Sequence, residues 1–82
     1  MNQVSLYLKV WVILFDKSYI INKERKHCFH SSIWTITIGT TTICISKEKV
    51  YLEGSPTTNV FQDLQEDLDE LLIPNQRTLL NQ

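Results

Sequence analysis

Hydrophobic and polar positions alternate most regularly between Ser32 and Glu53, in the run SIWTITIGTTTICISKEKVYLE. Strict alternation gives a strand one apolar and one polar face. At Gly39 the apolar phase moves from even to odd positions. A two-residue hairpin loop at Gly39 and Thr40 accounts for the switch, because glycine at the first central position supplies the positive φ of a type II′ turn. The expected register sets Ile38 opposite Thr41, Thr37 opposite Thr42, Ile36 opposite Ile43, Thr35 opposite Cys44 and Trp34 opposite Ile45. Trp34, Ile36, Ile43 and Ile45 then share one face, and Thr35, Thr37, Thr42 and Cys44 share the other. A second reversal at Lys47 and Glu48 sets Ile45 opposite Val50 and Ile43 opposite Leu52, which places Val50 and Leu52 on the same apolar face. One long strand from Trp34 to Ser46 with a bulge at Gly39 is the competing arrangement. The hairpin is preferred because it also explains the phase of Val50 and Leu52.

Upstream, Val4, Leu6, Leu8, Val10, Val12 and Leu14 alternate with Ser5, Tyr7, Lys9, Trp11, Ile13 and Phe15. This pattern predicts a long strand, central and covered in part on both sides because its odd positions are also large and apolar. Trp11 and Phe15 on its second face are candidates for an intermolecular contact, since contiguous apolar surface on a small protein usually marks an interface. Asp16 and Lys17 form a turn, Ser18 to Asn22 is read as a short edge strand, and the polar run from Asn22 to His27 as a loop. The chain re-enters extended structure near Cys28 or Phe29. Counted this way, the sheet has about four to five strands.

The segment from Glu53 to Thr58 breaks the pattern with Gly54 and Pro56. Asn59, with Gln62 three residues later, reads as the start of a helix with a capping box. Val60, Phe61, Leu64, Leu68, Leu71 and Leu72 follow helical spacing, and Asp63, Glu66, Asp67 and Glu70 fill the opposite side. Pro74 stops this helix. The expected fold is therefore α+β, an antiparallel β-meander with one C-terminal amphipathic helix packed on the sheet. Residues 1–73 form a single domain and 74–82 a flexible tail. Five strands at ~4.8 Å spacing span roughly 24 Å, whereas one helix covers about 10 Å. Either the sheet curls around the helix, or a second copy or another protein covers the remainder.

Composition changes this picture only modestly. The 82 residues are 43% hydrophobic and 21% charged, as in ordinary globular chains, and a core of this size gives marginal stability. The longest apolar run, Val10 to Phe15, is far short of the ~20 residues a membrane span needs. No basic segment precedes the first apolar stretch, so a secretory leader is not expected and the protein is read as cytoplasmic. The net charge of −1 conceals an asymmetry. Residues 1–49 carry seven basic and three acidic side chains, and residues 50–82 carry one basic and six acidic. The halves therefore attract one another, within one molecule or across a homodimer.

Candidate chemistry is sparse. His27, Cys28 and His30, with Cys44 at a distance, match no common zinc spacing, and in the expected register they do not converge; no metal or cofactor is expected. A Cys28–Cys44 disulfide is disfavoured because Cys28 lies outside the pairing opposite Cys44. Ser31, Ser32 and the cysteines lack a nucleophile elbow, and the carboxylates lie on an open helix face rather than in a pocket, so an enzyme is not expected. Lys23, Arg25 and Lys26, aided by aromatic residues, are the candidate contacts for nucleic acid, against which the acidic helix weighs. Within that helix Asp63 repels Asp67, and Glu66 repels Glu70, while Asp69 and Glu70 sit where the helix dipole disfavours negative charge. A basic partner surface would rationalise such a pattern. The sequence thus points to a small non-enzymatic protein-binding module, an inhibitor, regulator or adaptor. Asp63, Glu66, Asp67, Glu70, Trp11 and Phe15 are its candidate contacts, and a nucleic-acid-binding module is the alternative.

Overall fold

A computed structural model of the chain describes residues 2–26 and 32–73. In chain order the elements are α1 (Gln3–Asp16), β1 (Lys23–Lys26), β2 (Trp34–Ile38), β3 (Thr41–Ile45), β4 (Val50–Glu53) and α2 (Asn59–Asp67). The strands form one antiparallel sheet in the order β1-β2-β3-β4, an α+β meander with a helix at each end.

The meander follows the alternation residue by residue. Pairing between β2 and β3 runs from Trp34↔Ile45 to Ile38↔Thr41, and between β3 and β4 it includes Ile45↔Val50 and Ile43↔Leu52. Gly39 has φ +62° and Thr40 does not enter the positive region, the combination of a II′ rather than a I′ turn. The single bulged strand is therefore excluded. At the other hairpin, Ser46 N–H donates to the Lys49 carbonyl at 2.9 Å, closing the turn over Lys47 and Glu48.

Residues 3–16 are a helix, which corrects the expected N-terminal strand. Alternation was a false signal there because the odd positions are apolar too, and periodicity of that kind does not separate a strand from a buried helix. Length does: fourteen residues without glycine or proline exceed an ordinary strand of 4–8. The start is fixed by Asn2, whose side chain accepts from Ser5 N–H at 2.9 Å. Leu6, Val10 and Leu14, spaced by four, form the buried stripe.

The basic run is also corrected. Lys23–Lys26 is an exposed edge strand paired with β2, and Ser18–Asn22 is not a strand. An edge strand needs no apolar face, and charged side chains there discourage pairing with other chains. Asn22 adds to the edge, its N–H donating to the Thr37 carbonyl at 2.9 Å while its side chain accepts from Gly39 N–H. The C-terminal helix is shorter than expected and begins one residue earlier in its capping. Thr58, not Asn59, is the N-cap and accepts from Phe61 N–H at 3.3 Å. After Asp67 the chain turns, and Leu72 pairs in parallel with Val50, with Ile73 N–H donating to the Val50 carbonyl at 3.3 Å. Ending the helix there puts Glu66 and Asp67 in its last turn, where the dipole opposes them and no basic side chain offsets it. The expected stop at Pro74 and the tail 74–82 lie outside the described residues.

One buried cluster joins Leu6, Val10 and Leu14 of α1, the sheet residues Ile36, Ile43, Ile45, Val50 and Leu52, and Phe61, Leu64 and Leu68. Helix α1, which the sequence reading did not expect, adds Leu6, Val10 and Leu14 to that core. Gln3 fixes the start of α1 to the sheet, its amide nitrogen donating to the carbonyls of Ser32 and Ile45.

Candidate functional site

Helix α1 is apolar on nearly every side, with Ser5, Lys9 and Asp16 its only polar residues beyond Gln3 and Tyr7. Globular helices normally carry one apolar stripe. Here a second stripe faces outward: Val4, Leu8, Val12 and Phe15 are 54, 56, 68 and 83% exposed. Spacing by three and four residues aligns them on one side, opposite Leu6, Val10 and Leu14. At ~1.5 Å rise per residue the stripe from Val4 to Phe15 is about 17 Å long.

Aromatic packing bounds one side of the stripe. Trp11 is half-buried against Tyr7, with ring centroids 6.2 Å apart, and Tyr7 meets the Trp34 ring edge-on at 5.2 Å. The Lys26 ammonium lies 4.5 Å from the centre of the Tyr7 ring and 5.5 Å from that of Trp34. Leu8, Trp11, Val12, Phe15 and Asp16 form an apolar shelf on the outside of the helix.

On the opposite side the stripe continues into a groove of about 570 Å³ between α1 and the end of α2. Leu8, Val12, Ile13, Leu68 and Leu71 give it apolar walls, and Lys9, Glu66, Asp67, Asp69 and Glu70 its charges. Four carboxylates against one ammonium leave the groove acidic. Asp67 accepts at Oδ2 from the Tyr19 hydroxyl at 2.7 Å. Burial first, then this bond and the charges of Asp67, Asp63 and Glu66, hold the Tyr19 phenol well above its ordinary range.

The candidate residues divide accordingly. Glu66, Asp67 and Glu70 share the groove, whereas Asp63 is exposed and does not line it. Phe15 stands outward on the shelf and Trp11 half inward. In a strand these two would lie opposite Leu8 and Val12; in the helix all four converge. Sequence reasoning missed Val4, Leu8 and Val12 because alternation assigned even positions to the interior. The available signal was hydrophobicity around the whole of a fourteen-residue segment. The basic residues do not act together: Lys23 and Arg25 pair with Thr37 and Thr35, on the threonine face, while Lys26 turns to the other face and is engaged by two rings.

Cys44 is free and buried beside Tyr51 on the threonine face. Burial, reinforced by Glu53, pushes its thiol up to about 11, and burial likewise raises Tyr51. A protonated, buried thiol is a poor nucleophile. Among the described residues no three His, Cys, Asp or Glu side chains gather as a metal site, and no helix is long and apolar enough to cross a membrane. His27, Cys28, His30 and Ser31 lie outside the described residues. No protein-family model, curated protein or solved structure matches this chain.

Proposed function

We propose that this chain is a small non-enzymatic protein-binding module that works through the outer stripe of α1 and the acidic groove beside it. The observation that carries this reading is the second apolar stripe, Val4, Leu8, Val12 and Phe15, on a helix whose inner stripe already fills the core. Burying such side chains gains about 25 cal/mol per Å² of apolar surface, and an unpartnered stripe forgoes that gain. The role is that of an inhibitor, regulator or adaptor in the cytoplasm, which masks or bridges a partner without chemistry of its own. The buried, protonated Cys44 thiol supports a role without a cysteine nucleophile.

Photo-crosslinking in the native cell tests this reading. A benzophenone side chain is placed at Leu8, Val12 or Glu70, and at Thr35 or Thr37 as controls. The expected result is a discrete protein adduct from the first three positions and none from the controls. Adducts confined to the controls, or adducts with nucleic acid, would overturn it.

A further inference from the structure

The groove's chemistry narrows what the docking face takes. Apolar side chains from α1 and from the segment after α2, Leu8, Val12, Leu68 and Leu71 among them, line a groove that adjoins an exposed stripe about 17 Å long. Its charge comes almost wholly from one segment, since Glu66, Asp67, Asp69 and Glu70 line it and Lys9 is the one cation beside them. An occupant must therefore be apolar along one line and cationic along a line beside it. Helices present side chains in that way, at i, i+4 and i+7 with charges one position around, and helix-in-groove recognition uses those anchors.

We propose, building on the function proposed above, that the face of α1 and its groove receive a basic amphipathic helix of about four turns from a partner protein. Its apolar anchors lie on Leu8, Val12 and Phe15, and its Lys or Arg side chains meet Glu66, Asp67 and Glu70. Two other occupants fit less well. A second copy docked through the same face forms an isologous contact, in which each acidic groove would meet another copy of a patch whose own groove is acidic and offers only Lys9 as a cation. An anionic membrane surface would be repelled by the same carboxylates.

Selection from a displayed library of 16-residue helices, with no charge bias at the input, tests the assignment. Enriched helices should carry apolar residues at helical spacing and a net charge of +3 or more. The tightest should lose at least tenfold in affinity for a Glu66→Lys/Glu70→Lys variant, and also for a Leu8→Ser/Val12→Ser variant, each with an unchanged circular dichroism spectrum. Charge reversal of Asp63, which does not line the groove, should change affinity less than twofold. Enrichment of neutral or acidic helices on the same face would overturn the basic partner while leaving the protein-binding module standing. Light scattering that shows a dimer abolished by Leu8→Ser/Val12→Ser would assign the face to a second copy and also overturn the proposal. No enrichment, with uptake by phosphatidylserine vesicles instead, would remove both readings.

Discussion

Tyr19 donates its hydroxyl to Asp67 across 2.7 Å and so ties the connection after α1 to the last residue of α2. The bond spans 48 residues and engages Asp67, which lines the acidic groove. Hydrogen bonds to charged groups contribute about 1.5–3 kcal/mol, and partial exposure places this one at the low end. Tyr19→Phe is expected to lower unfolding stability by about 1–1.5 kcal/mol, read by urea denaturation at pH 7. The pH dependence has a definite sign. The phenol's folded pKa lies above its unfolded value of 10.0, so its contribution is complete below pH 10 and falls as pH rises beyond it. The wild-type chain should therefore lose stability above pH 10 more steeply than Tyr19→Phe.

The two stripes of α1 should respond differently to truncation. Val10→Ala or Leu14→Ala opens a cavity in the core and is expected to cost about 2–4 kcal/mol. Leu8→Ser or Val12→Ser exchanges an exposed apolar side chain and should change stability by less than about 0.5 kcal/mol. Thermal unfolding of the four variants measures the contrast directly. Equal losses at all four positions would mean that α1 is covered on both sides.

Gln65 is buried in α2, and among the described residues neither amide atom has a hydrogen-bond partner. A buried amide in that state carries its full desolvation cost of about 1–3 kcal/mol. Gln65→Met keeps the length of the side chain and removes the polar atoms. The melting temperature is expected to rise by a few degrees, as for other gains of ~1 kcal/mol in a domain of this size.

The two glycines differ in what surrounds them. A Cβ on Gly54, at φ +135°, would lie 2.9 Å from the Thr40 carbonyl oxygen and 3.3 Å from Thr41 Cα. On Gly39, at φ +62°, it would meet nothing closer than Val60 Cγ2 at 4.0 Å. Gly39→Ala should cost about 1–2 kcal/mol from its positive φ alone, whereas Gly54→Ala combines strain with a clash and should cost roughly 2–3 kcal/mol. Denaturant midpoints of the two variants give the comparison.

Cys44 should resist alkylation. Its folded pKa of about 11 against an ordinary 9.0 means that stability from the protonated thiol is complete below pH 9 and is lost as pH rises through about 11. In a Cys28→Ser background, iodoacetamide at pH 8 should label the native chain at least tenfold more slowly than the chain in 6 M guanidinium. Comparable rates would mean that the thiol is accessible.

The parts of the fold readable in the sequence were those where pattern and turn chemistry agreed. Trp34 to Leu52 alternate cleanly, and Gly39 supplies the one left-handed residue that the first hairpin needs, so the register was specified to the residue. Residues 4–15 gave two compatible periods because both sets of positions are apolar, and only length separated them. Lys23–Lys26 carries no hydrophobic signal at all; β2 recruits it through backbone pairing, which side chains do not announce. The acidic positions of α2 were visible as a helical face. Their meeting with Leu8 and Val12 was not, because it depends on α1 being a helix and on how two ends of the chain pack.

The most direct test of the docking face is solvent paramagnetic relaxation enhancement on a dilute sample of the isolated chain, read at the side-chain protons of residues 4–15 with a soluble nitroxide. The expected result is a helical split: Val4, Leu8, Val12 and Phe15 strongly broadened, and Leu6, Val10 and Leu14 protected. Protection of every even-numbered residue from Val4 to Leu14 would restore the strand, and uniform protection would show the stripe already covered. Either outcome would contradict the site described above.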